Sequence, residues 1–186
     1  MEKTKTAGLT AREMALCALF AALMAICAWI SVPTTVPFTL QTFAVFLAVG
    51  MLGGRLGSLS VAVYLLLGAV GLPVFNHFTG GVGALLGSTG GYLVGFLASA
   101  LVVWALEGLT RGRTWALGLA MGAGLLACYA LGTLWFMVVY TAQNGPVTLA
   151  TVLGWCVLPF VPFDVLKIVL ALEVSRRMKG ILKLNL

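Results

Sequence analysis

Charge is what this sequence has least of: Asp, Glu, Lys and Arg make up 9% of its 186 residues, against 61% hydrophobic residues. A soluble fold needs a polar skin that so few charges cannot supply, and with a mean hydropathy of +1.10 the surplus apolar surface calls for lipid. The alternating polarity of membrane barrel strands is also missing, which excludes a β-barrel. A helical bundle remains, because a helix satisfies its own backbone in hydrocarbon. No soluble domain of about 100 residues fits in what the apolar runs leave over, so residues 1–186 read as one all-α membrane domain.

Other absences remove whole classes of chemistry. The four cysteines, Cys17, Cys27, Cys128 and Cys156, form no CxxC pair and have no nearby histidine, so zinc ligation has no basis and they read as small apolar packing residues. The single histidine, His77, sits in a loop before GSTGG (Gly87 to Gly91). A serine hydrolase needs its base on a facing element, so that resemblance to a nucleophile turn leads nowhere. There is no GxxxxGK[ST] phosphate loop, and ATP hydrolysis by that route is excluded. The chain reads as a non-enzyme with no cofactor, and energised transport requires partner subunits.

What is present is a set of six apolar runs, near residues 13–30, 36–54, 56–72, 90–106, 114–140 and 147–172, each of the order of the ~20 residues that cross ~30 Å of hydrocarbon. The net charge of +6 is not a nucleic-acid patch, because the basic residues punctuate the runs. Lys3, Lys5 and Arg12 precede the first run, Arg55 separates the second and third, Arg111 and Arg113 the fourth and fifth, and Arg176, Arg177, Lys179 and Lys183 follow the sixth. Threaded as six spans, all ten fall on one side, and the positive-inside tendency puts both termini on the cytoplasmic side of the cell membrane. Met14 to Ile30 is expected to be retained as a span, since no clean small-x-small cleavage site follows it.

The eleventh basic residue is the exception. In PFVPFDVLKIVLA (Pro159 to Ala171), Asp164 and Lys167 stand three apart within an apolar run. On a helix they share a face about 4.5 Å apart along the axis at ~1.5 Å per residue. An intramembrane charge costs roughly 2.5–3.5 kcal/mol on insertion scales and usually faces a cavity or a partner, so this pair is the first site candidate. A purely structural ion pair is the alternative. Pro162 suits the first residue of the inner helix, which puts Asp164 in the first turn, where the dipole favours an anion.

A second candidate is GGVGALLGSTGGYLVGF (Gly80 to Phe96). Gly83, Gly87, Gly91 and Gly95 recur every fourth residue, a ladder that lets a neighbouring helix approach if the segment is helical. The aromatic loop before it, LPVFNHFT (Leu72 to Thr79), is placed to cap a cavity, the setting in which unwound backbone is tolerated at membrane depth. In the first span Ala11, Ala15, Ala18, Ala22 and Ala25 form a small-residue stripe, fit for docking another helix or for packing within the bundle.

Together, TAREMALCALFAALMA (Thr10 to Ala25), VPFTLQTFAVFLAVGMLGGRLG (Val36 to Gly57), GLPVF (Gly71 to Phe75), GSTGGYLVGF (Gly87 to Phe96) and PFDVLK (Pro162 to Lys167) resemble the BioY family. These are the biotin-capturing S components of energy-coupling factor transporters. The resemblance implies that Asp164 and Lys167 contact biotin, with Gln41 and Tyr92 as further polar contacts; the chemistry of biotin then suits Phe75, Phe78 and Tyr92 to covering its apolar bicycle. It implies that Gly87, Thr89, Gly90 and Gly91 belong to the binding segment, with the loop before Gly87 as a lid. It also implies that the alanine face meets a transmembrane coupling (T) subunit whose two ATPase subunits drive release inward. Some members carry an amide and a basic residue where this chain has Val82 and Leu93. An S component for another vitamin, and a self-sufficient ion-coupled carrier protonated at Asp164, are the competing readings.

Overall fold

A computed structural model describes residues 8–32 and 36–182. Lys3, Lys5 and Lys183 lie outside the described residues, as does the middle of the connection from 31 to 40. The chain opens with α1 (Ala11–Trp29), whose start is set by a capping box in which Thr10 and Glu13 bond each other's backbone. A short antiparallel ribbon of β1 (Ser31–Val32) and β2 (Phe38–Thr39) follows. Next come α2 (Gln41–Ala69), a 3-10 turn at Asn76–Phe78, α3 (Val82–Leu86), α4 (Gly90–Thr110), α5 (Thr114–Asn144), α6 (Leu149–Cys156) and α7 (Val161–Leu182).

α2 is not one rod. Gly53 has φ 81° and ψ 170° in its middle, a conformation glycine adopts without the steric cost of a Cβ. There the chain turns back on itself: the Gln41 amide donates to the Tyr64 hydroxyl at 2.6 Å, although 23 residues of straight helix would separate them by roughly 34 Å. The expected break at Arg55 thus falls two residues later than the actual one. Glu107 of α4 holds the turn by accepting from the Gly54 N–H at 3.0 Å.

The bundle is apolar on both sides. Inside, Phe46, Tyr64, Phe75, Met121 and Phe136 are fully enclosed; outside, Leu19, Leu66, Leu109, Leu119, Leu126 and Val138 are 62 to 76% exposed. An exterior of that kind is a lipid-facing one. By length and composition α1, α2, α4 and α5 each qualify to cross a membrane, and α6 with α7, bent by 47° at their break, qualify together. The expected single run over 147–172 is therefore a broken one, interrupted where Pro159 and Pro162 flank the bend.

The glycine ladder does not lie on a single helix. Gly83 belongs to α3, Gly87 to the break, and only Gly91 and Gly95 to α4. A Cβ on Gly91 would fall on the Trp135 side chain and one on Gly95 on Cys128, whereas Gly83 has nothing near it. Close approach of α4 and α5 accounts for the second half of the ladder alone.

Candidate functional site

The start of α7 delivers Asp164 and Lys167 into the interior. The bend after α6 lets Asp164 occupy the first turn of a new helix, with its N–H bonded to the Phe160 carbonyl at 2.8 Å. Both side chains are almost wholly buried and pair at 2.8 Å.

Three other elements complete the pair. Thr42, at the start of α2, donates to Asp164 Oδ1 at 2.9 Å, and Tyr129 of α5 donates to Oδ2 at 2.6 Å. The Lys167 ammonium donates to the Thr39 carbonyl at 2.7 Å and the Thr42 hydroxyl at 3.2 Å as well as to Asp164, using all three of its hydrogens. Its Nζ also lies 4.2 Å from the centre of the Phe38 ring. A buried charge is tolerable only when its partners are in place, and here they come from β2, α2, α5 and α7.

The pair forms one wall of a cavity of about 530 Å³, within the size range of small-molecule sites. The rest mixes five aromatic side chains, Phe75, Tyr92, Phe96, Tyr129 and Phe160, with small and polar residues. Gln41 contributes an amide held by Thr39 and Tyr64, and Tyr92 shares a 3.3 Å hydrogen bond with Thr133. Over the cavity runs the segment from Pro73 to Gly87, tied down by two tryptophans. Trp29 Nε1 donates to the Pro73 carbonyl at 3.1 Å, and Trp135 Nε1 to the Gly87 carbonyl at 2.9 Å.

Of the residues expected from sequence, Asp164, Lys167, Gln41, Tyr92, Phe75, Gly87 and Thr89 all line this cavity. Phe78, Gly90 and Gly91 do not. Phe78 points outward and stacks on Trp29 at 4.8 Å, where it fastens the loop instead. Gly90 and Gly91 are glycines for packing, since a Cβ would strike Leu85 and Trp135. Of the alanine stripe, Ala11, Ala15, Ala18 and Ala22 are exposed on the outer surface and Ala25 is buried.

Several cavity groups escaped the sequence reading. Tyr129, Thr42 and the Thr39 carbonyl are one kind, remote in sequence from the pair they satisfy. Asn76 is another: it lines the cavity, and its Oδ1 is buried with no hydrogen-bond partner among the described residues. The next two residues, His77 and Phe78, have φ of 52° and 57°, a backbone cost of the kind that gathers at ligand clamps. Only the aromatic loop's position above the cavity pointed toward Asn76.

Comparison with known proteins finds relatives in sequence and in fold. The sequence model of the BioY family matches residues 1–183. The biotin transporter BioY of Thermotoga maritima is 43% identical over 169 residues, covering 90% of this chain and 96% of that protein. The probable biotin transporter BioY of Pyrococcus horikoshii is 41% identical over 171 residues, covering 91% and 98%. Among solved structures, the S-component for biotin from an ECF-type ABC transporter superposes with a TM-score of 0.80 at 26% identity, over 93% of this chain and 95% of that one. Sharing sequence along nearly its whole length and a fold with these proteins, the chain belongs to the BioY family.

Proposed function

We propose that this protein is the substrate-binding membrane subunit that captures biotin for ATP-driven uptake by a transporter whose coupling (T) subunit and two ATPase subunits are separate chains. The observation that carries the proposal is the buried Asp164–Lys167 pair set in the wall of a cavity with five aromatic side chains, in a chain similar to named biotin transporters. Biotin offers two ureido N–H donors, a ureido oxygen and a tail carboxylate. Asp164 retains acceptor capacity beyond its three present bonds, and the unpartnered Asn76 Oδ1 supplies another acceptor. Lys167 meets an oxygen of the ligand by exchanging one of its present contacts. The aromatic walls take the apolar bicycle, and the Pro73 to Gly87 segment acts as the lid.

In this reading the α2 hairpin counts as two passes and α6 with α7 as one, giving six, with both termini and the basic turns on the cytoplasmic side of the cell membrane. The exposed alanines of α1 form the docking face for the T subunit. Replacing Ala18 and Ala22 with bulky residues is expected to abolish uptake while sparing biotin binding.

The test is a titration of the purified protein with biotin and a panel of other vitamins, followed through the tryptophans that hold the lid. Saturation by biotin at micromolar concentration or below supports the proposal. Saturation by a different vitamin, with none by biotin, overturns the ligand assignment. Biotin uptake by proteoliposomes containing this chain alone overturns the need for partners.

A further inference from the structure

α7 runs from the ligand cavity to a second one. Asp164 and Lys167 line the first; Ser175, Arg176 and Lys179 line the other, a cavity of about 360 Å³ at the opposite end of the bundle. Lys167 and Ser175 are about 12 Å apart along the axis at ~1.5 Å per residue. Parts of α2, α4 and the α4–α5 turn close the second cavity, including Glu107 and Arg113.

Its chemistry is that of an anion site. Arg113, Arg176 and Lys179 converge on it, and among the described residues none of the three makes an ion pair or a side-chain hydrogen bond. The one carboxylate in the wall, Glu107, is engaged by the Gly54 N–H at the α2 turn. The first residue of the 31-residue α5, Thr114, also lines the cavity, and α5 begins with no side-chain cap. Its leading N–H groups and positive dipole end are thus available to an anion. An independent sign is Ser175, which lines the cavity, is 3% exposed and has a hydroxyl that lies against Gly50 with no hydrogen-bond partner among the described residues. A buried hydroxyl left unpaired is uncommon and marks a place where a partner is missing.

We infer that this second cavity binds a phosphate group, held by the Arg113 and Arg176 guanidiniums, Lys179, the Ser175 hydroxyl and the first turn of α5. Guanidinium forks match phosphate oxygens in pairs. The group is carried either by an anionic phospholipid or by free phosphate.

Thermal melting of the full chain separates the sources. It is measured in nanodiscs of pure phosphatidylcholine, in nanodiscs containing phosphatidylglycerol, and in pure phosphatidylcholine with inorganic phosphate titrated in. Stabilisation by phosphatidylglycerol alone identifies a head-group site; stabilisation by inorganic phosphate as well identifies a site for the free anion. In either case Arg113→Gln, Arg176→Gln and Ser175→Ala are expected to raise the half-saturating concentration roughly tenfold, the effect of losing one hydrogen bond to a charged group. Arg111→Gln, which alters a residue outside the cavity wall, is expected to leave it unchanged. Arg176 is exposed, so its variant tests the site even if Ser175→Ala fails to fold. No stabilisation from either anion source, or equal losses in the Arg111 and Arg176 variants, overturns the inference.

Discussion

Two ion pairs lie on α7 within ten residues of each other, and they are nearly the same length: Asp164–Lys167 at 2.8 Å and Glu173–Arg177 at 2.7 Å. Their surroundings are opposite. The side chains of the first are 5 and 6% exposed, those of the second 45 and 75%. The first is tied to three further elements, while the second is a lone i,i+4 contact of the kind that contributes little. Separation says nothing about what a pair is for. The number of elements that converge on it, and whether it faces a cavity, does.

The contrast can be broken by mutation. The largest effect is expected from Asp164→Ala, which strands the Lys167 ammonium in the interior. Removing one partner of a buried pair costs about 3–5 kcal/mol, so a steep fall in melting temperature should accompany loss of biotin binding. Next comes Tyr129→Phe, which removes the hydroxyl bonded to Asp164 Oδ2. A hydrogen bond to a charged group contributes about 1.5–3 kcal/mol, and chemical denaturation should register a loss in that range together with weaker binding. Asn76→Ala is expected to act on the ligand alone, weakening biotin roughly tenfold in a titration. Its melting temperature should not fall, because its Oδ1 has no partner among the described residues to lose. The smallest effect belongs to Glu173→Gln, for which neither melting temperature nor biotin affinity should move. A Glu173→Gln effect equal to that of Asp164→Ala would erase the distinction between the pairs.

The same contrast marks how far the sequence could be read. Asp164 and Lys167 were visible because an intramembrane charge stands out against an apolar run. Gln41 and Tyr92 came with the motifs around them. The partners of the pair were not visible, since Thr42 and Tyr129 are 122 and 35 residues from Asp164 and an intramembrane Thr or Tyr carries no signal of its own. The reversal near Arg55 could be placed to within two residues because glycines and a charge interrupt the run there. Phe78, Gly90 and Gly91 were drawn toward the site by their neighbours in sequence. Yet a loop residue can face out to clasp Trp29 while the one three places before it, Phe75, faces in. Glycine in a helix also serves the approach of another helix as readily as that of a ligand.

In the proposed function the buried pair exists to hold biotin rather than to hold the bundle together. That role is tested by replacing both members at once, Asp164→Asn with Lys167→Met, and titrating biotin into the double variant beside the unaltered protein. Exchanging a buried pair for uncharged side chains of similar volume is often neutral or stabilising, so the melting transition is expected to be retained and biotin binding to weaken by roughly 100-fold, the loss of about two hydrogen bonds to the ligand. Superimposable biotin titrations would contradict that role and make the pair a structural one.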